Sequence, residues 1–142
     1  MKVEQAIITQ NYVNELAYKI IACAIEVHKT MGPGLLESIY QSCLLEELKQ
    51  NGLLTQSQVE IPVYYKRKNL GSKLKLDILV NDLIIVELKS IETILPVHKA
   101  QLLSYMKLAN VPKGLLINFN VDNIVKNMVP LVNDLFANLP KE

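Results

Sequence analysis

A chain of 142 residues that is 50% hydrophobic fits one domain with its own core and needs neither disulfides nor metal for stability. A formal charge of +1 excludes a global attraction to nucleic acid, so a polyanionic partner has to be held by a local patch. Cys23 and Cys43 lack CxxC spacing and read as reduced core thiols, while MKVEQAIITQNYVNEL has no apolar signal core and IIACAI is too short to span a bilayer, so no membrane and a cytoplasmic location are expected.

No repeat, linker or low-complexity tract interrupts the chain, so residues 1–142 are expected to form a single domain. Over residues 14–31, Leu16, Ile20, Cys23 and Val27 follow the spacing of an amphipathic helix, and Met31-Gly32-Pro33-Gly34 ends it. A second helix is expected over residues 35–51, with Leu44, Leu45 and Leu48 inward and Gly52 as its stop. Residues 58–65 alternate as a strand, and Pro62 marks it as an edge. Strands over 73–80 and 83–89 are joined at Asn81-Asp82, and their apolar runs predict burial on both faces. Pro96 opens a helix reaching residue 109, and 114–119 reads as a buried strand parallel to its predecessor. The tail suggests a short strand broken at Pro130 and a last helical turn or two. The fold class is therefore α/β with an α+β-like mixed sheet: a helix pair, a three-stranded antiparallel meander, a crossover helix and a parallel fourth strand.

The stretch DILVNDLIIVELK carries the chemistry. Asp77 lies on one strand, and Glu87 lies two residues before Lys89 on the next. Two carboxylates about 4 Å apart repel by roughly 4 kcal/mol at an effective dielectric near 20, so such a pair calls for a cation or a proton. Magnesium accepts one or two carboxylates together with waters and a phosphate oxygen. Register is the test. With a two-residue Asn81-Asp82 turn, Val80 pairs with Leu83 and the two acids fall on opposite faces; with a three-residue loop or a bulge, Asp77 lies opposite Glu87. Lys89 shares the face of Glu87 in either register.

A cationic cluster, Lys66, Arg67, Lys68, Lys73 and Lys75, is expected around a turn at Gly71, and Arg67 is the only arginine in the chain. Its bland reading is a solvated loop that protects a sheet edge from aggregation. Its functional reading is contact with nucleic-acid phosphates.

Four segments in order, EVHKTMGPGLLESIY, LDILVNDLIIVELK, HKAQLLSYMK and GLLINF, make the chain resemble the GxxExxY protein family, a branch of the PD-(D/E)XK nuclease superfamily. Gly34, Glu37 and Tyr40 stand in the naming motif. The resemblance implies a restriction-endonuclease-like core with metal ligands on the central hairpin. Asp77 and Glu87 look like the metal-binding acids, Lys89 like the lysine of the ExK element, Glu37 like the additional acid of the preceding helix, and Gln101 like the glutamine of the following helix. Leu76 stands where a proline often precedes the aspartate, and the basic strand that often follows the NF segment is represented only by Lys126.

Each of these residues has an ordinary alternative. Asp77, Glu87 and Lys89 could form exposed strand ion pairs worth under about 1 kcal/mol. Glu37 falls in a first helical turn, where the macrodipole favours an acid. Gln101 has the alternative of surface polarity, and Tyr40 reads as a packing residue whose hydroxyl finds a partner. Gly32 and Gly34 suit a turn, and His28 and His98 suit structural roles or support behind the metal ligands. The expectation is a magnesium-dependent nuclease, with manganese as a substitute, that hydrolyses phosphodiester bonds of DNA and leaves the 5′-phosphate the superfamily implies. The alternatives are a non-catalytic nucleic-acid-binding or regulatory module with the same fold and, compatible with either, a homodimer through the first helix pair.

Overall fold

A computed structural model describes residues 7–142. Helices α1 (Gln10–Met31) and α2 (Glu37–Gln50) come first. Strands β1 (Thr55–Tyr65), β2 (Lys68–Val80) and β3 (Ile84–Lys89) follow. Helix α3 (Pro96–Ala109), strands β4 (Lys113–Asn118) and β5 (Val129–Val132) and the short α4 (Asp134–Ala137) complete the chain. The strands form one sheet in the order β1-β2-β3-β4-β5. The β3–β4 pair, linked through α3, is parallel and the other pairs are antiparallel, the mixed architecture expected from the strand-helix-strand pattern.

Thr9 starts α1 by accepting a hydrogen bond from the Tyr12 amide, which satisfies an otherwise free N–H and begins the helix ahead of its apolar stripe. That stripe, Val13, Leu16, Ile20, Cys23 and Val27, is buried. The turn after α1 is held by Tyr40. Its hydroxyl donates to the Gly32 carbonyl at 2.5 Å and accepts from the Leu35 amide at 3.1 Å, while its ring stacks on Phe119 with centroids 4.5 Å apart. The tyrosine of the GxxExxY pattern is thus a packing residue with a satisfied polar tip.

Both faces of the sheet are covered. Ile78, Val80, Ile84, Val86, Leu88, Leu115 and Ile117 pack with the α1 and α2 residues, whereas Leu79, Ile85 and Leu116 pack with Leu102 and Met106 of α3. Gly114 permits the close approach of α3: a Cβ there would lie 2.8 Å from Met106 Sδ and 3.0 Å from Leu102 Cδ2. Among the described residues no helix is long and apolar enough to cross a membrane.

Helix α1 begins at Gln10, ahead of residue 14, and β2 at Lys68, ahead of residue 73; the ends of α2, β3 and β4 differ from expectation by one or two residues, and three further differences bear on the sheet. Strand β1 begins at Thr55, ahead of residue 58. The expected Gly71 turn is instead part of β2: Tyr65 pairs with Lys68, and the two-residue turn is Lys66-Arg67, with φ of 48° and 68°. Gly71, with φ of +79°, lies where the β1–β2 register shifts and β2 carries extra residues opposite Val63. Its left-handed backbone serves an irregularity rather than a chain reversal. Pro130 does not break β5, because β5 is an edge strand and can lack a ladder donor.

Candidate active site

The β2–β3 hairpin pairs Val80 with Ile84, Leu79 with Ile85 and Ile78 with Val86, which leaves a three-residue loop, Asn81-Asp82-Leu83. Asn81 and Asp82 adopt left-handed φ of 51° and 57°, a conformation these short polar residues tolerate. The loop is tied back to the approach to β1, since the Leu54 amide donates to Asn81 Oδ1 at 2.9 Å and the Asn81 amide donates to the Leu54 carbonyl at 2.8 Å. This is the register that brings Asp77 opposite Glu87.

At that position the side chains replace the regular ladder. The Asp77 amide donates to Glu87 Oε1 at 3.1 Å, and the Leu88 amide donates to Asp77 Oδ2 at 2.9 Å. Each acid thus accepts a backbone proton from the neighbouring strand. On the other side of β2 the β1–β2 register skips Gln58 and Asp77, and Gln58 is left-handed with φ of 50°. The face alternation slips there as well: Leu76 packs in the α3 cluster although Ile78 and Val80 pack on the opposite face. An irregularity on each flank therefore frees Asp77 from ordinary strand geometry.

Glu87 is only 7% exposed. Burial, and after it the Asp77 carboxylate, push its carboxyl up to about 8, against a partial pull downward from the Asp77 amide and from Lys89. Without a cation the pair meets the repulsion by holding a proton. Lys89 is half-buried on the β3 face of Glu87 and is the Cα partner of Asn118 on β4.

The chain just after Lys89 is pinned from two sides. The Ser90 hydroxyl donates to the Leu35 carbonyl, which brings the start of α2, and with it Glu37, to the same end of the sheet as Lys89. Asn118 donates from Nδ2 to the Ile91 carbonyl at 2.9 Å and accepts from the Ile91 amide at 3.2 Å. Ser90 and Asn118, which hold the chain just after Lys89, and Gln58, which lies where the β1–β2 pairing skips Asp77, are residues that sequence reasoning did not single out. Ser90 directly follows the ExK element and Asn118 lies within GLLINF, so adjacency to those segments was the available signal.

The remaining candidates are more dispersed. Glu37 is exposed at the first position of α2, and among the described residues no group of three His, Cys, Asp or Glu side chains converges as a metal cluster. The structure joins Asp77 to Glu87 and, among the described residues, does not join Glu37 to that pair as a third ligand. Gln101 is exposed on α3 and donates to the Tyr105 hydroxyl at 2.9 Å. His98 accepts from the Leu95 amide at the start of α3, and His28 donates to the Val121 carbonyl at 2.6 Å, so both have structural partners. Lys66, Arg67, Lys68, Lys73 and Lys75 are exposed along the β1–β2 hairpin. A cleft of about 410 Å³ between α1 and α2, lined by residues such as Val27, Met31 and Cys43, includes none of these candidates.

Comparison with known proteins bears on the fold that carries this site. The profile of the PD-(D/E)XK nuclease superfamily matches residues 14–129. A solved structure, "Crystal structure of SSO0001", superposes with a TM-score of 0.53 at 20% identity and covers 94% of this chain and 70% of its own, a likeness of fold. No curated protein matches the chain.

Proposed function

The chain belongs to the PD-(D/E)XK nuclease superfamily, and from that premise we propose that it is a magnesium-dependent phosphodiesterase acting on DNA, of the GxxExxY branch. The observation that carries this reading is the convergence of Asp77 and Glu87 where the β2–β3 ladder gives way, with Glu87 driven to hold a proton near neutral pH. Two hard carboxylates with excess negative charge fit a hard divalent cation, and magnesium accepts so few protein ligands when water and phosphate oxygens complete its shell. Asp77 and Glu87 would hold it, with Glu37 acting through water. When bound, the cation polarises the phosphate and lowers the pKa of water.

The chain's own residues supply the rest. Lys89 orients the attacking water and offsets negative charge that develops on the phosphate. Ser90 and Asn118 hold the segment behind Lys89, so that the ammonium is already positioned when substrate arrives. Gln101 contributes a polar contact to the substrate backbone from α3.

The test is cleavage of duplex, single-stranded and branched DNA and RNA, with and without magnesium or manganese, by wild type, Asp77→Ala and Lys89→Ala. Metal-dependent cleavage lost in both variants is expected. If all three proteins are equally inert and calorimetric titration finds no cation site, the enzyme reading fails. The absence of a third convergent acid among the described residues favours a second reading, a nucleic-acid-binding module without catalysis, and the same experiment separates the two.

A further inference from the structure

The β1–β2 hairpin extends beyond the layers that build the site. Every residue from Tyr64 to Lys73 is exposed, yet beyond the irregularity at Gly71 the strands pair again up to the turn, with Tyr64 opposite Asn69 and Tyr65 opposite Lys68. The arm is a two-stranded ribbon whose tip, from Tyr64 to Asn69, is exposed throughout. Between Gln58 and Lys75 the sequence holds the cations Lys66, Arg67, Lys68, Lys73 and Lys75 and one acid, Glu60. Glu60 pairs with Lys73 at 3.3 Å, which leaves the tip cations without an acidic partner among the described residues.

The turn itself argues for use of that charge. A two-residue hairpin turn with both residues left-handed ordinarily takes Asn-Gly, because bulkier side chains are disfavoured there. Here the positions are filled by Lys66 and Arg67, with φ of 48° and 68°. A loop that only closed a hairpin gains nothing from this choice. Two cations at the outermost point of a paired ribbon are what the choice adds.

We propose that this arm docks in the major groove of B-form duplex DNA, with its tip cations on the flanking phosphates; the inference rests on the nucleic-acid reading above. The major groove is about 12 Å wide and admits a two-stranded β-ribbon. The A-form groove of duplex RNA is too deep and narrow for side chains to read. Tyr64 and Tyr65 are 56% and 61% exposed and adjacent in the strand, so their rings leave opposite faces of the ribbon. They flank it like two walls and make no continuous platform of the kind on which a single strand stacks. Lys66 Nζ lies 5.4 Å from the Tyr65 ring centroid, so one ring also steadies a tip cation.

The experiment is fluorescence anisotropy without divalent metal, on labelled duplex DNA, duplex RNA of the same sequence and the single strand, across a range of salt. The double variant Lys66→Asn, Arg67→Gly gives the turn its preferred residues, so the fold is retained while two charges are removed. Wild type is expected to prefer duplex DNA by about 10-fold or more, and the variant to lose about 10-fold in affinity and about 2 from the slope of log affinity against log salt. An unchanged affinity and slope in the variant overturns the proposal, as does equal or tighter wild-type binding to duplex RNA or the single strand, or no duplex binding at all. Because binding is read without metal, a protein that grips DNA by the arm yet never cleaves it fails the nuclease reading alone. A protein that cleaves but ignores the arm variant fails the arm alone.

Discussion

Near Asp77, β2 gives up regular pairing to two carboxylates, one of them buried, whereas at its start Lys68 and Asn69 pair with Tyr65 and Tyr64, the register shifts around Gly71, and every residue from Lys68 to Lys73 is exposed. The first departure is electrostatic: backbone amides are satisfied, but like charges share a low-dielectric site. The second is conformational: in the turn just before β2, Lys66 and Arg67 are exposed but hold a backbone shape that suits glycine. Both make the free protein less stable than a plain hairpin would be. Such local costs cluster where a partner is to be met, and they differ according to whether that partner is expected to be a cation or a polyanion.

The largest effect should come from Asp77→Asn, which keeps an oxygen to accept the Leu88 amide and removes one charge. Magnesium-dependent cleavage is expected to fall by about 10²-fold or more, while the melting temperature without metal rises. Lys89→Ala should lose cleavage without that gain. If Asp77→Asn melts lower than wild type, the acid is structural and the comparison between the two ends of β2 collapses.

Next in size is the pH dependence carried by Glu87. Its carboxyl titrates near 8 in the folded chain against an ordinary value of 4.5, so between those limits the folded state holds a proton that the unfolded state has released. The stabilisation is full below pH 4.5 and is lost as pH rises through about 8, with a slope of at most about 1.4 kcal/mol per pH unit. Glu87→Gln should flatten this decline in thermal unfolding without metal. Magnesium should raise the wild-type melting temperature more on the alkaline side of that titration than on the acid side, since there it need not displace a proton. An equal shift on both sides would place the cation elsewhere.

How much of this could be read beforehand depended on the range of the forces involved. The helix pair, the edge position of β1 and the parallel β4 follow from apolar periodicity and chain connection, which act over a few residues. The acid pair was legible only conditionally: strand alternation separates Asp77 from Glu87 unless the loop takes a third residue, and Leu83 looks like strand. Gln58, Ser90 and Asn118 act through contacts with distant segments, which periodicity does not register. At the arm a local signal misled, because Gly71 suggested a turn and the turn fell on Lys66-Arg67, where no local propensity asks for one.

A perturbation that touches neither end of β2 provides the scale for both. Gly114→Ala places a methyl against Met106 and Leu102 beneath α3, and overpacking there should lower stability by about 1–3 kcal/mol. Chemical denaturation should show this loss at every pH, with the Glu87 slope intact. A Gly114→Ala protein whose pH dependence flattened would show that α3 packing maintains the burial that holds the Glu87 carboxyl high.

The smallest effect expected is on the arm. Lys66→Asn with Arg67→Gly relieves two left-handed long side chains, and each such residue costs on the order of 1 kcal/mol. Unfolding in urea should therefore show a gain of about 1 kcal/mol, reduced by the greater entropy of glycine in the unfolded chain, with an unchanged slope on denaturant. The sign matters more than the size. A gain means that the native Lys-Arg turn is held against its own conformational preference. A loss would mean that the Lys66 contact with Tyr65 is what closes the hairpin, and the tip would then be structural in the sense that the acid pair is not.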